Sequence, residues 1–459
     1  MHQRLISRRN FCRNGVVAAA TLGMAAKSGG LAFAAEIGAS ATGFKIEEIE
    51  RTTCRLPFRP TPRRAMDREL PHWRYTDIVE VRLANGHTGF GESMLYYTWG
   101  ATNAEDVQRA LGKNAVDLMW DDSFGAGLQI AMQDAVARSA GVPLHRLLGP
   151  QVHERTPLSW WNIDMPPADL AAECREAMQQ GYTSYKTKGR PWFDLWAQVE
   201  AVSKAVPESF KLDMDFNDTL LDADRAIPIL KELEANPRID IYETPIPQGD
   251  VEGNCRIHEA TSVKLALHYG SPPPRVVVEK NVCDGFVVGG GASNVMRQGL
   301  FCDQVKMPFW LQLVGTDITA AYSLHFGGVL KQALWPAVNC HQLFDAPLLT
   351  QPIVVKDGMS DVPTGPGLGF ELNRETMKKF QVEQPQERPD PDRLLEIKWP
   401  NGRRMFVANT GVVNILLAAA KTEGFPYYKR GVMTQRVPND GSLAWKRRVE
   451  RAKQAPFFD

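Results

Sequence analysis

The tetrapeptide Tyr185-Lys186-Thr187-Lys188 gives the clearest indication of the fold, together with the later stretches Asp215-Phe216-Asn217 and Glu243-Thr244-Pro245. Each stretch lies at the end of a short, mainly apolar run. On an extended strand, side chains two residues apart project from the same face, so Lys186 and Lys188 point together. Two cations and two carboxylates on three successive strands indicate a functional site rather than a solvated surface.

The spacing of these residues indicates a parallel α/β barrel. Lys186 and Asp215 are 29 positions apart, and Asp215 and Glu243 are 28 apart, about the length of one strand, one helix and two loops. The charged residues would then lie near the carboxyl ends of their strands, where barrel enzymes place their chemistry. Carboxylates there can hold a hard divalent cation, and a lysine beside that cation can lose a proton near neutral pH.

Eight runs of strand length follow residue 150 and alternate with amphipathic, helix-like stretches. The runs are residues 157–163, 184–188, 211–217, 239–245, 263–269, 285–289, 309–314 and 337–341. Crossover helices between parallel strands produce this alternation. The pattern predicts a barrel over residues 151–370.

Residues 35–150 have a different pattern. Strand-like segments meet at Asn85-Gly86, a dipeptide typical of an antiparallel hairpin. Helical periodicity follows over residues 104–119 and 124–140. The region is therefore predicted to be a separate α+β domain.

The first 34 residues have the features of an export signal. Ser7-Arg8-Arg9-Asn10-Phe11 begins a basic region, residues 15–26 are small and apolar, and Ala32-Phe33-Ala34 provides a cleavage site. These features are typical of the twin-arginine route, and the apolar run is too short for a membrane-spanning helix. We expect the twin-arginine (Tat) export machinery as a partner, a periplasmic location, and no membrane association after the signal is removed.

Charge and cysteine content narrow the functional classes. The chain has 53 basic and 53 acidic residues; five basic and no acidic residues lie in the signal, which leaves 48 against 53. A net negative charge argues against nucleic-acid binding. Six scattered cysteines remain after Cys12, and no two of them form a C-x-x-C pair. They are expected to be small buried residues, with one disulfide as an open alternative.

Eight motifs follow one another along the chain: Gly89-Phe90-Gly91-Glu92, Gln133-Asp134-Ala135, Gly141-Val142-Pro143-Leu144, Leu147-Leu148-Gly149, Lys186-x-Lys188, Asp215-x-Asn217, Glu243-x-Pro245 and Pro366-Gly367-Leu368-Gly369. In this order they resemble the motifs of the enolase superfamily, specifically the mandelate racemase and muconate lactonizing enzyme group. The resemblance implies an α/β fold: a modified TIM barrel, (β/α)7β, with an α+β N-terminal capping domain completed by the C-terminal extension, residues 371–459. We also expect a homo-oligomer.

The resemblance further implies Mg²⁺ bound by three carboxylates on successive strands, of which Asp215 and Glu243 are the first two. On the next strand Tyr269 stands where the third acid is expected, and His268 is the candidate ligand in its place. Imidazole suits transition metals better than Mg²⁺. The expected cofactor is therefore a divalent metal: Mg²⁺, or a transition metal if His268 is a ligand.

The chemistry implied by the resemblance begins with removal of the proton α to a carboxylate, which gives a metal-stabilised enediolate. Lys188 is the expected base, and Lys186 would lower its pKa by like-charge repulsion. Asp284 matches the acid that pairs with a histidine base in racemase-like members, but Gln312 takes that histidine's place. Val287 replaces the lysine of lactonizing members. The first prediction is therefore a one-base dehydration of a sugar acid or other hydroxy acid, ahead of epimerisation and cycloisomerisation.

A small-molecule carboxylate is the expected substrate, and Asn217, Tyr269, Gln312 and His341 are the expected contacts. Two alternatives stay open. The lysines and carboxylates could form a buried ion-pair layer, and the chain could be a catalytically degenerate periplasmic protein that binds a carboxylate.

The chain continues well beyond Gly369. Pro400-Asn401-Gly402 indicates a hairpin that could extend the sheet of the capping domain. Residues 411–421 are predicted to form a short helix. No function follows from this region at the level of sequence.

Overall fold

The computed structural model describes residues 42–459 except residues 98, 421 and 423. These residues form three sheets: a three-stranded cap sheet, a nine-stranded barrel sheet and a four-stranded C-terminal sheet. The predicted export signal, residues 1–34, lies outside the described residues. Within the described ranges, none of the helices combines the length and apolar character needed to cross a membrane.

The cap sheet is antiparallel, in the order β1-β2-β3. Its strands are β1 (Ile46–Arg55), β2 (Tyr75–Leu83) and β3 (Thr88–Met94), and its helices are α1 (Pro60–Glu69), α2 (Ala104–Ala110), α3 (Ala115–Leu118), α4 (Gly125–Ser139) and α5 (His145–Leu148). The predicted hairpin is confirmed: β2 and β3 are paired, and Gly86 has the positive φ of 87° that its turn requires.

Helix α4 packs against β3 with almost no space between the two backbones. A Cβ at Gly91 would lie 2.3 Å from the carbonyl oxygen of Gly127, so only glycine fits there. This close packing places Glu92 in the joint between cap and barrel. Its carboxylate is fully buried and accepts hydrogen bonds from the backbone N–H groups of Thr316 and Thr319, at 2.6 and 2.9 Å.

The barrel strands run parallel in the order β10-β9-β8-β7-β6-β5-β4-β11. They are β4 (Arg155–Trp161), β5 (Ser184–Lys188), β6 (Lys211–Asp215), β7 (Ile239–Glu243), β8 (Lys264–His268), β9 (Gly285–Val288), β10 (Phe309–Leu311) and β11 (Ala337–Val338). All eight coincide with predicted strands. Because β10 and β11 also lie next to each other, the sheet is almost closed.

A helix follows each of the first seven barrel strands, which confirms the predicted (β/α)7β order. The helices are α6 (Pro167–Gln179), α7 (Leu195–Ala205), α8 (Ala223–Leu233), α9 (Val251–Ala260), α10 (Pro274–Lys280), α11 (Ala292–Val305) and α12 (Asp317–Val329). A short strand, β12 (Met359–Asp361), pairs antiparallel with β4. The chain then returns to the cap through α13 (Arg374–Phe380), where Arg374 donates to Glu80 of β2.

Strand register brings the charged residues to one level of the barrel. Lys188 on β5 pairs with Asp215 on β6, and Asp215 pairs with Glu243 on β7. All three residues end their strands. The carboxyl end of the barrel therefore holds a compact group of opposite charges.

The C-terminal sheet has the order β15-β13-β14-β16. It comprises β13 (Leu394–Lys398), β14 (Arg404–Ala408), β15 (Met433–Val437) and β16 (Phe457–Phe458), with helices α14 (Ile415–Ala419) and α15 (Leu443–Gln454). The predicted hairpin around Asn401 is confirmed, but the expectation that it extends the cap sheet is wrong. Its outer edges pair with β15 and β16, strands that come from further along the chain.

Candidate active site

Lys188 ends β5 with its amine at the mouth of the barrel. The amine contacts the carboxylate of Asp215 and donates to Oδ1 of Asn217 at 3.0 Å, and Arg190 donates to the same oxygen at 2.6 Å. Burial lowers the pKa of Lys188; Asp215 opposes this shift, while Lys186 and Arg190 reinforce it, and the net direction is downward. A buried amine with a lowered pKa is suited to accept a proton.

Lys186 lies deeper and is almost completely buried. Its ammonium contacts Glu243, lies 3.9 Å from Oδ2 of Asp215 and donates to Oε1 of Gln312 at 2.7 Å. It also lies 5.0 Å from the centre of the Trp310 ring. Burial opposes the charge, but Glu243 and Asp215 outweigh it and raise the pKa of Lys186. The two lysines therefore differ: Lys186 keeps its charge more firmly than Lys188.

Asp215 and Glu243 are buried carboxylates that both remain ionised. Burial alone would raise the pKa of Asp215, but Lys188 and Lys186 hold it well below its ordinary value. The pKa of Glu243 is also lowered, because Lys186 and His268 outweigh burial and the nearby charge of Asp215. Nε2 of His268 lies 2.9 Å from Oε1 of Glu243. The structure thus brings the three predicted metal ligands to one side of the lysines.

The donor set differs from the three carboxylates that the resemblance implies. Within residues 42–459, apart from the three omitted positions, no three His, Cys, Asp or Glu side chains form a group that could hold a metal ion as they stand. Glu243 is buried, and each of its oxygens already faces a nitrogen: Oε2 contacts the ammonium of Lys186, and Oε1 lies 2.9 Å from Nε2 of His268. Two carboxylates and the imidazole of His268 fit a divalent cation that accepts nitrogen better than they fit Mg²⁺.

The site opens onto a cavity of about 240 Å³ that is shared by cap and barrel. One wall carries Lys186, Lys188, Arg190, Asn217, His268 and Gln312. Another wall is aromatic: the rings of Trp73 and Trp161 stack with centroids 5.4 Å apart, and Tyr97 meets Trp73 edge-on at 5.1 Å. A small acid in this cavity would have its charged end at the lysines and an apolar surface beside it.

Tyr269 does not join the other predicted substrate contacts. Its ring packs against Phe286 and Phe301, and it does not line the cavity. It directly follows His268, and neighbouring residues of an extended chain point to opposite sides. Since His268 faces Glu243 inside the barrel, Tyr269 faces the surrounding helices.

Asp284 and His341 also lie outside this group. Asp284 precedes the first residue of β9, so it lies at the amino end of the barrel, where its carboxylate is 3.1 Å from Nε2 of His258. His341 follows β11, and its Nε2 lies 3.2 Å from the hydroxyl of Tyr182 in a separate cavity of about 610 Å³. The structure gives neither residue a contact with the lysines.

Among the residues that line the cavity, sequence reasoning missed Arg190, Trp73 and Asn414. Arg190 continues the alternation of Lys186 and Lys188, so the strand pattern could have revealed it. Trp73 belongs to the cap and Asn414 to the C-terminal region, far from the barrel strands in sequence. Only the packing of the three regions brings these two to the site.

Residues 169–376 match the family model described as "Enolase C-terminal domain-like". N-succinyl-L-Arg/Lys racemase of Bacillus cereus is 22% identical over 380 residues, covering 74% of this chain and 98% of that protein. Muconate cycloisomerase 1 of Rhodococcus opacus is 23% identical over 349 residues, covering 66% and 90%. Other similar proteins include a D-gluconate dehydratase and an L-Ala-D/L-Glu epimerase.

A solved structure gives the same picture of the fold. Muconate cycloisomerase from Pseudomonas fluorescens superposes with a TM-score of 0.60 at 21% identity, covering 74% of this chain and 99% of that one. At this identity the likeness establishes the fold alone. Residues after 376 lie beyond the family match.

Proposed function

We propose that this chain, which belongs to the mandelate racemase and muconate lactonizing enzyme group of the enolase superfamily, removes the proton α to the carboxylate of a small organic acid. Enzymes similar to it are racemases, cycloisomerases, a dehydratase and an epimerase. Within that range we propose dehydration of a sugar acid or other hydroxy acid. The observation that carries the proposal is the amine of Lys188 at the cavity, with the ammonium of Lys186 behind it.

Lys188 is placed to act as the base. Asp215 and Asn217 contact its amine and limit the directions in which it can point. A base must lie within hydrogen-bond reach of the proton it removes, and Lys188 meets this condition for a substrate in the cavity that it lines. Its lowered pKa raises the share of neutral amine at neutral pH.

The developing enediolate needs positive charge nearby, because loss of the α-proton adds charge to a group that is already anionic. Lys186 and Arg190 supply fixed cationic groups at the same wall, and Gln312 supplies an amide. Enolase-superfamily members use a divalent metal, and we include one in the proposal. Held by Asp215, Glu243 and His268, it would polarise the substrate carboxylate as a Lewis acid.

A dehydration also needs an acid for the departing hydroxyl group. His268 lines the cavity, and Glu243 orients its ring. As a metal ligand His268 could not serve as this acid; the ammonium of Lys188, which carries the proton just removed from the α-carbon, would then donate it to a hydroxyl group that leaves from the same face. In the absence of metal ligation, the same imidazole could return a proton to the α-carbon, which makes epimerisation the second candidate.

The test is incubation of the protein with a panel of hydroxy and sugar acids in D₂O, followed by NMR and mass spectrometry. A 2-keto product supports dehydration, and α-deuterium without a new product supports epimerisation. Lys188→Ala should abolish formation of the 2-keto product and of the epimer, because both reactions need this amine. Lys204→Ala, an exposed lysine paired with Glu200 on α7, is the matched control and should behave as wild type. Absence of both signals across the panel would overturn the proposal.

The metal is tested separately by elemental analysis of protein purified without chelator. One equivalent of a divalent metal that is lost in both Asp215→Asn and His268→Ala supports His268 as a ligand. Metal retained in His268→Ala leaves that imidazole free for proton transfer. Wild-type protein that is fully active without metal would remove the metal from the proposal.

We further propose that the enzyme acts in the periplasm as a homo-oligomer. The twin-arginine pattern at Arg8-Arg9 supports export. Replacing both arginines by lysine should retain the protein in the cytoplasm in cell fractionation. Light scattering of the exported protein tests its oligomeric state.

A further inference from the structure

Residues 382–459, called here the C-terminal segment, begin after the family match ends at residue 376. The similar proteins cover about three quarters of the chain or less. The segment nevertheless contributes to the cavity: Asn414 lines it together with Lys188, Arg190 and Asn217. A part of the chain beyond the family match thus takes part in the candidate active site.

The segment shares an apolar core with the loop that follows β5. Trp192 and Phe193 of that loop are buried against Leu395 and Ile397 of β13, together with Leu416 of α14. The loop begins immediately after Lys188 and contains Arg190. Its position at the barrel mouth therefore depends on the segment that covers it.

Hydrogen bonds from the segment reach the loop that follows Lys188 and the loop that follows β6. The hydroxyl of Tyr428 donates to the carbonyl oxygen of Gly189 at 3.0 Å and lies 2.7 Å from Oγ1 of Thr219. Thr434 donates to the carbonyl oxygen of Trp192 at 2.7 Å. Gly189 follows the base, and Thr219 lies in the loop that carries Asn217. One buried tyrosine therefore ties together the two loops that hold the base and its amide partner.

A buried arginine connects the segment to the cap as well. Arg393 is 1% exposed and donates to the carbonyl oxygen of Arg68 on α1 at 2.9 Å. Arg68 donates to Asp164, which also accepts from the indole N–H of Trp192, at 2.6 and 2.7 Å. The cap, the barrel and the segment thus meet in one network beside the cavity.

Asn414 lies at the edge of the cavity, next to residues that are anchored in an apolar core. It has a φ of 58°, in the left-handed region that asparagine tolerates better than most residues. It directly precedes α14, whose first two residues, Ile415 and Leu416, are buried in the core beneath. Its side-chain amide can donate to and accept from an oxygen of a bound acid.

We propose that the C-terminal segment is a permanent wall of the active site, which fixes the loops after β5 and β6 and presents the Asn414 amide to a hydroxyl or carboxylate oxygen of the substrate. This inference rests on the proposed function for the substrate contact. The fixing of the loops stands on the contacts alone. The enzyme would accordingly favour acids with a second oxygen-bearing group over acids with a purely apolar remainder.

The substrate contact is tested with Asn414→Leu, which keeps the approximate size of the side chain and removes its amide. For the acid that wild type converts, KM should rise about three- to tenfold, the equivalent of one lost hydrogen bond. Asn439→Leu, at an exposed position of the same segment, should leave KM unchanged. An unchanged KM and kcat in Asn414→Leu would overturn the contact.

The fixing of the loops is tested without turnover, by amide hydrogen exchange of the full chain. Tyr428→Phe should speed exchange over residues 189–193 and 216–220 by about three- to tenfold. Tyr322→Phe also loses a buried hydrogen bond, to Gln133, and should not affect those segments. Unchanged exchange in Tyr428→Phe would refute the proposal that the C-terminal segment fixes these loops. If no acid reacts with wild type, the proposed function fails, but the exchange measurement still tests whether the C-terminal segment fixes the loops after β5 and β6.

Discussion

His325 should make the stability of this protein fall as the pH drops below about 6.5. It lies on α12, is fully buried, and is bonded through both ring nitrogens. Nδ1 accepts from the backbone N–H of His145 and Nε2 donates to the carbonyl oxygen of Leu368, each at 3.2 Å. Burial lowers the pKa of His325 to about 3; the Leu368 carbonyl opposes this shift and His145 adds to it. A second proton on the ring would bind Nδ1 and point at the backbone N–H of His145, which is itself a donor.

The magnitude follows from the two pKa values. In the unfolded chain the ring titrates near 6.5, and in the folded protein near 3. Between these values the unfolded state binds more protons, so the free energy of unfolding decreases as the pH falls. At pH 5, which is about 1.5 units below the unfolded pKa, the loss is about 2 kcal/mol at ~1.4 kcal/mol per unit. Near pH 7.5 the ring is neutral in both states and costs almost nothing.

The assay is urea unfolding of wild type and His325→Gln at pH 7.5 and at pH 5. Glutamine offers an amide donor and acceptor but does not titrate. Buried acids such as Asp134 and Asp317, whose pKa values are raised to about 6 by burial, shift stability the opposite way. Both proteins contain these acids, so their contributions cancel in the difference in stability between wild type and variant. The stability advantage of wild type over the variant should shrink by about 2 kcal/mol on acidification. An advantage constant to within about 0.5 kcal/mol would refute the reasoning.

Three further results are expected. Gly91→Ala should lower the free energy of unfolding, measured by thermal melting, by about 3 kcal/mol or more, since the new methyl group meets the backbone of α4. Gly249→Ala adds its methyl group in open space and should change the melting curve little. Tyr269→Phe should leave proton exchange in D₂O at the wild-type rate, because its ring packs outside the cavity, and a large loss would contradict that placement. Dithiothreitol should not shift the melting temperature, because the six cysteines that the structure describes are free.

The charged cluster could be predicted from the sequence because its determinants are local. The alternation of Lys186 and Lys188 assigns both to one face of β5, and regular spacing brings Asp215 and Glu243 beside them. The positions of Tyr269 and Asp284 were harder to predict. Both lie next to a strand that was predicted correctly, but which face or which end of the barrel they occupy depends on one residue of register.

The C-terminal segment shows where local reasoning stops. Its turn residues predicted a hairpin, and the hairpin is present. Which strands it joins depends on β15 and β16, and what it covers depends on the apolar loop around Trp192. The contribution of Asn414 to the cavity depends on both. These contacts join residues that are far apart in the chain, and no local sequence pattern predicts them.

The packing of the segment on the loop after β5 also has a consequence for biosynthesis. Polypeptides are made from the amino terminus, so both lysines and the whole barrel are synthesised before residues 382–459. During that interval Trp192 and Phe193 lack the apolar partners that cover them in the finished molecule. A nascent chain therefore exposes an apolar patch beside an incomplete cavity. Mutations that slow formation of the β13–β14 hairpin should cause aggregation in cells even where they leave the stability of the mature protein unchanged.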